Sequence, residues 1–458
     1  MTEAMKFKEN DLADLEEREK RRITVIGCGR MGLPTACLFS DAGFKVTCLD
    51  TNPYVVNRIN KGMTPFVEPE LSALLKENLR KGRIKATTDA KEAIPESDLV
   101  VFMVDTPIDK KKRSDYTNLE ESCREVGLSL RPGTLVMVQS TVGPSVTQTL
   151  AKESLETSSG LKAGVDFGLA YSPIRATVGK VVRDITTYAK IVAAIDKQSL
   201  TAAKAFLKTI VKGELVEVDD IKTAEATKLF ENIYRDVNLA LANEFAIFCE
   251  RAGIDYIAVQ KAANTQPYCH LLKPGIVSGH IPKDPYLLVS EAENLRVKLK
   301  MTNMARRTND ETVRHAYNLV KDAIHLCERP VKRAGVAVLG VSYRPNVKET
   351  KGTLITDLVR LLRKRGARAT VFDPYYSYKE LKELGFPAGR TLTRTVEGAD
   401  CLLIAVGHSK FRRLGLRRMK VLMKKPAAIV DLAHVINPQK AEKEGFIYRG
   451  LGRGVWSR

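Results

Sequence analysis

The feature that most limits what this chain can fold into is a short β-branched run, Ile23-Thr24-Val25-Ile26. It ends in Gly27-Cys28-Gly29-Arg30-Met31-Gly32 and passes directly into a helical pattern reaching Phe39. A strand that turns this tightly into a helix uses its glycines for separate reasons. Gly27 permits the turn, Gly29 lets the backbone approach a pyrophosphate, and Gly32 lets helix and strand pack closely. The helix N-terminus then faces the negative charge. The next run, Lys45 to Leu49, ends at Asp50, roughly twenty residues on, where a carboxylate accepts hydrogen bonds from ribose hydroxyls and repels a 2′-phosphate. Gly27, Gly29, Arg30, Met31, Gly32 and Asp50 are therefore expected to hold a dinucleotide, NAD in preference to NADP.

The alternation of apolar run and helical stretch continues through Leu99 to Val104, Leu135 to Val138 and Phe167 to Tyr171, the pattern of a parallel sheet wound on both faces. Two of these runs lead into small hydroxyls, Thr106 and Thr141, at the carboxyl edge where open sheets hold ligands. From Lys222 to Ala252 there is neither Pro nor Gly, and Ala226, Leu229, Ile233, Val237, Leu241, Phe245 and Phe248 recur at helical spacing. This predicts one long helix, of the kind that links domains or packs against a copy of itself. Helical segments reach about Glu328 around the Pro/Gly-rich loop 266–285, and the alternation restarts at Val336 to Gly340, Thr370 to Pro374, Cys401 to Val406 and Ala428 to Asp431. The expected fold is α/β, with two Rossmann-like doubly wound domains joined by a long central helix and a helical middle domain. The boundaries fall at 1–210, 211–330 and 331–458.

Composition narrows the partners. A chain of 458 residues divides into two to four domains at the usual size of roughly 100 to 200 residues. Its 44% hydrophobic content is that of a folded globular protein. No apolar stretch is long enough for a membrane span, and Met1 to Arg22 is too charged for a signal peptide, so the expected place is the cytoplasm and no membrane partner is expected. The eight cysteines are scattered singly, without the spacing of a zinc site, which suits buried thiols in a reducing compartment and no metal. A formal charge of +20 favours anionic partners. The densest basic runs, such as Lys110 to Arg113, lack interleaved aromatics, so a phosphate-bearing small molecule is expected and nucleic acid is not.

Several further stretches resemble the UDP-glucose/GDP-mannose dehydrogenase family. They are Lys222 to Arg235, Ala242-Asn243-Glu244, Gly253-Ile254-Asp255, Ala263-Asn264-Thr265, Lys273-Pro274-Gly275, Gly279 to Tyr286, Asn309-Asp310 and Val338 to Pro345, in order along nearly the whole chain. The resemblance implies oxidation of the C6 hydroxymethyl of a nucleotide-diphosphate sugar to a carboxylate, in two hydride transfers to NAD, for polysaccharide biosynthesis. It also implies a homodimer through the central helix and a C-terminal domain that binds UDP. Lys228 matches the lysine that stabilises the developing alkoxide, and Asn232 and Asp284 match its neighbours that orient water or the sugar hydroxyl, with Thr141 beside them. Arg175, His280, Tyr343 and Arg344 fall at substrate-binding positions. Lys351 stands at a cofactor-binding position where Arg is usual, and with Arg344 and Lys348 it can meet either the diphosphate or the cofactor of a neighbouring subunit. The wording Leu169 to Pro173 and Pro282 to Leu287 is nearer the UDP-N-acetylmannosamine branch than the UDP-glucose branch.

Two departures concern the same half-reaction. The family pattern places a nucleophilic cysteine after the histidine of the substrate loop, whereas this chain reads Gly279-His280-Ile281-Pro282-Lys283-Asp284-Pro285. That thiolate carries the intermediate of the second oxidation. Ile174 stands where a glutamate usually helps activate the hydrolytic water. Three readings stay open: both oxidations, through the aldehyde hydrate or with Cys269 as thiol; arrest at the aldehyde or a different single oxidation of a nucleotide sugar; or binding of NAD and nucleotide sugar without turnover. UDP-glucose is an alternative substrate.

Overall fold

The computed structural model describes residues 10–457. Residues 1–9, which open the first expected domain and form part of the segment argued against a signal peptide, lie outside them. The chain divides into two compact units. One runs to Glu231 and takes in Tyr286–Lys298; the other holds Asn232–Pro285 and everything from Leu299 onward.

The first unit contains an eight-stranded sheet: β1 (Arg22–Ile26), β2 (Lys45–Leu49), β3 (Ile84–Thr87), β4 (Leu99–Phe102), β5 (Leu135–Val138), β6 (Gly168–Tyr171), β7 (Lys190–Ala194) and β8 (Leu215–Glu217). Their order is β3-β2-β1-β4-β5-β6-β7-β8. All neighbours are parallel except β6 and β7. Strands β4, β5 and β6 are buried along their whole length because helices cover both faces, which is why they read as unbroken apolar runs. The strand order reverses between β1 and β4, and a crevice at such a switch point lies beyond the carboxyl ends of the strands.

The second unit contains β9 (Gly335–Leu339), β10 (Arg368–Phe372), β11 (Cys401–Ile404), β12 (Ala428–Asp431) and β13 (Ile447–Gly450), all parallel in the order β10-β9-β11-β12-β13. Its switch point lies between β9 and β11. The helical middle is present as Tyr256–Ala263 and the 27-residue helix Lys300–Leu326, whose buried side includes Ala316, Leu319, Val320, Ala323 and Ile324. The α/β class, the two doubly wound sheets and the helical middle are as expected. Among the described residues, no helix is long and apolar enough to cross a membrane.

Four strands escaped the sequence pattern. β3, β8 and β13 are edge or near-edge strands whose mixed composition breaks any apolar run, as strands at sheet margins commonly do. β7 is interior and nearly all buried, but it begins with a charged residue, Lys190, that hides it.

The long helix Ile221–Ala252 has 32 residues and the expected span. Its faces differ from expectation. Leu229 and Ile233 are buried, whereas Leu241, Phe245 and Phe248 of the expected stripe are exposed together with Phe230 and Tyr234. The buried side carries polar groups instead, among them Glu225, Asn232, Asp236 and Asn243.

Candidate active site

In the first unit the phosphate turn has the shape its glycines predict. Gly27 sits at φ +84°, and a Cβ there would lie 2.7 Å from the Met103 carbonyl oxygen; a Cβ on Gly32 would lie 1.9 Å from the Gly27 oxygen. Gly29 has nothing within 4 Å of a Cβ position, so its lack of a side chain leaves open space above the backbone. The helix Gly32–Asp41 begins at Met31 with no side-chain cap, leaving its N-terminus to whatever approaches that space. Asp50 holds the turn: Oδ2 accepts from the Cys28 amide at 2.8 Å and Oδ1 from the Asn52 amide at 2.9 Å. An ionised carboxylate has about four acceptor positions, so two remain for ribose hydroxyls. Arg30 donates to the Val67 carbonyl at 3.3 Å and lies over the Phe66 ring, 5.0 Å from its centre. The open space over Gly29, the uncapped helix N-terminus and the remaining acceptor positions of Asp50 suit a dinucleotide.

The other strand ends of the sheet are tied to each other. Thr106 donates its hydroxyl to the Thr141 carbonyl at 2.5 Å, and Ser140 donates to the Val104 carbonyl at 2.8 Å, so the loops after β4 and β5 are one unit. Beyond them Glu225, fully buried on the long helix, accepts from the amides of Ser145 at 2.6 Å and Thr147 at 2.8 Å. Burial pushes its carboxyl up to about 7, against the pull of those bonds. Glu225 lies inside a stretch that drew attention in the sequence, yet only the structure brings it to the backbone it clamps.

After β6 the chain presents Arg175, whose guanidinium pairs with Glu231 and also donates to the Ala189 carbonyl at 3.0 Å. Lys228, on the same helix as Glu231, is half-buried. Ile174 is 8% exposed and packs into the core with Val181 and Ile185. An apolar side chain thus closes the core at this position beside Arg175.

In the second unit Asn232 and Asp284, 52 residues apart in sequence, meet: the Asn232 amide donates to Asp284 Oδ2 at 2.6 Å. Asp284 is 1% exposed, and its other oxygen takes an ion pair from Lys283 at 2.7 Å. Lys283 was not anticipated, since a charged residue next to the aspartate reads as loop surface.

The loop before Asp284 is pinned from below. Asn243 exchanges two hydrogen bonds with the Gly275 backbone, at 2.8 and 3.1 Å, and its amide also donates to Asn309 Oδ1 at 2.9 Å. Asn309 in turn donates to Asp236, which Arg306 neutralises within the core. The scattered Asn243, Gly275 and Asn309 signals therefore belong to one buried network.

The same loop brings further expected residues together. Gly279, at φ +83°, leaves its Cβ position 2.7 Å from the Tyr343 ring, and its amide donates to the Gly352 carbonyl at 2.9 Å. His280, exposed, follows Gly279, and Lys351 precedes Gly352, so His280, Tyr343 and Lys351 border one loop contact, with half-buried Arg344 next to Tyr343. Cys269 is half-buried, in a turn where its amide donates to the Gln266 carbonyl at 3.0 Å. The other seven cysteines are buried.

Comparison with known proteins places these parts in a common frame. The chain matches the UDP-glucose/GDP-mannose dehydrogenase family in three pieces: the NAD binding domain over residues 21–211, the central domain over 222–311 and the UDP binding domain over 337–438. It is 33% identical over 435 residues to a UDP-N-acetyl-D-mannosamine dehydrogenase of Pyrococcus horikoshii, covering 94% of this chain and 99% of that one. It is 30% identical over 424 residues to a UDP-N-acetyl-D-glucosamine 6-dehydrogenase of Pseudomonas aeruginosa, covering 92% and 98%. Among solved structures, a UDP-D-ManNAc dehydrogenase from Pyrococcus horikoshii superposes with a TM-score of 0.87 at 32% identity, covering 95% of this chain and all of that one.

Proposed function

Because this chain belongs to the UDP-glucose/GDP-mannose dehydrogenase family and is an NAD-dependent nucleotide-sugar dehydrogenase, we propose that it oxidises C6 of UDP-N-acetylmannosamine to the uronate in two hydride transfers. The observation that carries the site is the Asn232–Asp284–Lys283 cluster. Its carboxylate is gripped by both oxygens and almost sealed from water, an arrangement that holds a proton acceptor in one direction.

Bound NAD supplies the hydride acceptor. The Gly27 to Gly32 turn, with Arg30 and Met31, would hold its pyrophosphate and Asp50 its ribose, and Thr106 and Thr141 would contribute to the same site. Lys228 donates to the oxygen on which charge develops, Asn232 and Asp284 orient the C6 hydroxyl or a water, and Asp284 takes up the proton. Arg175, His280, Tyr343 and Arg344 hold the nucleotide sugar, and Lys351 meets a phosphate. The division into a cofactor domain (1–210), a helical dimerisation domain (211–330) and a UDP domain (331–458) belongs to this reading. So does a homodimer: exposed Phe230, Tyr234, Leu241, Phe245 and Phe248 repeat along the long helix at spacings that form a stripe fit for a second copy. The cytoplasm is its place of work.

A second reading, arrest at the aldehyde, is favoured by one observation. Ile174 lies in the core and the segment Gly279 to Pro285 has no thiol, so the usual groups for the second oxidation are absent there. Counting NADH per UDP-N-acetylmannosamine consumed separates the two. A ratio near two with a uronate product supports the full reaction, a ratio near one supports arrest, and binding without NADH overturns both. UDP-glucose and UDP-N-acetylglucosamine, assayed in parallel, test the substrate. Full two-step turnover by Cys269→Ser removes that thiol from consideration.

A further inference from the structure

Lys190 opens β7 and is 4% exposed, a costly place for an ammonium unless a carboxylate meets it. The charges that face it are cations: Lys228 on the long helix, and Arg175 on the segment after β6. Glu231, three residues after Lys228 on the long helix, is held by Arg175. Arg175 also donates at 3.0 Å to the carbonyl of Ala189, the residue just before Lys190. One guanidinium therefore ties the first residues of β7 to the helical turn that carries Lys228, three positions before Glu231. Glu225, one turn further back on that helix, is turned to the backbone of Ser145 and Thr147.

We propose that Lys190 is a positioning residue for Lys228: a buried amine that is neutral while the enzyme works, and whose protonation displaces the Lys228 ammonium by like-charge repulsion. The inference rests on the role given above to Lys228. Burial, and then the charges of Lys228 and Arg175, bring the Lys190 amine down to about 7. Below that value a proton on Lys190 adds a third positive charge beside Lys228 and Arg175.

The test is the pH profile of kcat/KM for the nucleotide sugar between about pH 6 and 8.5, in the unmodified enzyme, Lys190→Met and Lys190→Arg. The unmodified enzyme is expected to lose activity about tenfold per pH unit below about 7. Lys190→Met, always neutral, shows no such limb, whatever its absolute rate; Lys190→Arg, always charged, is low throughout. Glu225→Gln keeps the limb. A limb that survives in Lys190→Met, or disappears in Glu225→Gln, overturns the proposal. A second readout does not depend on turnover. In protein labelled with 15N-lysine, an amine titrating near 7 is expected to vanish in Lys190→Met, and the Lys228 amine, assigned with Lys228→Met, is expected to titrate higher in that variant. If no nucleotide sugar is oxidised, the functional reading fails on its own. An unchanged Lys228 titration would then still sink the coupling.

Discussion

The two sheets of this chain solve the same local problem at their first strands and then part company. After β1, Gly27 takes φ +84° and packs on Met103 beyond β4, and the next amide, that of Cys28, donates to Asp50 beyond β2 at 2.8 Å. After β9, Gly340 takes φ +96° and packs on Val406 beyond β11, and the next amide, that of Val341, donates to Asp373 beyond β10, also at 2.8 Å. From there the first sheet goes straight into a helix at Gly32, leaving open space over Gly29 and two acceptor positions on half-buried Asp50. The second interposes Val341 to Leu354 before its helix and closes the carboxylate completely. Asp373 is fully buried, accepts from the Tyr375 amide at 2.9 Å, and takes a further bond from His408 Nε2 at 3.0 Å. His408 Nδ1 accepts from the Asn346 amide at 2.9 Å, which fixes the neutral tautomer with its proton toward Asp373. One plan thus yields a site that waits for a ligand at the turn and another that spends its turn on holding a long loop with Tyr343, Arg344 and Lys351.

If the first arrangement holds the cofactor and the second displays the nucleotide sugar, the largest effect still comes from the proposed catalytic Lys228. Lys228→Met is expected to lower kcat by about 10²- to 10³-fold, the loss of one well-aimed donor to a developing oxyanion, with NAD affinity kept. Arg344→Ala, by contrast, raises KM for the nucleotide sugar and keeps kcat. Steady-state kinetics with titrated NAD binding decides the matter, and equal kcat losses in both variants would erase the distinction.

The closed carboxylate comes next. Asp373→Asn places an amide where three donors converge and is expected to cost about 1 to 3 kcal/mol of stability. Bonds to His408 and to backbone amides hold the Asp373 carboxyl below the usual carboxylate range, against the opposing effect of its burial. Its stabilisation is therefore present above the ordinary value near 3.8 and is lost as pH falls through the lower folded value. Acid unfolding followed by circular dichroism should show a shallower loss in Asp373→Asn than in the unmodified chain. The equivalent change at Asp50 is expected to weaken NAD binding while sparing stability, because that carboxylate is half-exposed.

Gly29→Ala gives a smaller and more selective effect. With nothing within 4 Å of the new methyl, the free protein should melt within a degree or two of the parent. NAD affinity should fall about tenfold, or roughly 1.4 kcal/mol, because the methyl occupies the approach of the pyrophosphate. Unchanged NAD affinity in that variant would mean that the turn is structural.

What the sequence made legible follows the range of the interactions. The Gly27 to Gly32 turn is local, so spacing alone exposed it, and the unbroken runs of β4, β5 and β6 announced themselves because both faces are covered. Asn232 and Asp284 meet across 52 residues, and no periodicity contains that fact; only the resemblance paired them. The stripe on the long helix was read as one face, but Leu229 and Ile233 turn inward while Phe245 and Phe248 turn outward. The inward side is polar, and a scheme that equates burial with apolar residues passes over Glu225, Asp236 and Asn243. Lys190 was lost for the same reason, as a lysine at the head of an interior strand.

Glu225 offers the finest test of the contrast between the two sheets, because it titrates in the sense opposite to Asp373. Its folded value, about 7, lies above its ordinary 4.5, so the folded state holds the proton more tightly than the unfolded one. That contribution is complete below about 4.5 and is lost as pH rises to about 7, where the buried carboxylate must ionise. The segment it clamps, Ser145 to Thr147, should then open more readily at pH 8 than at pH 5, while the Val341 and Tyr375 amides held by Asp373 stay equally protected. Amide hydrogen exchange, corrected for intrinsic rates, reads this directly, with an expected rise in opening of up to roughly seventyfold at Ser145 and Thr147 if opening fully exposes the carboxyl. Glu225→Gln has no charge to gain, so its exchange should not change between the two pH values. Equal pH sensitivity at all four amides would show that the two carboxylates are not separate devices but parts of one global titration.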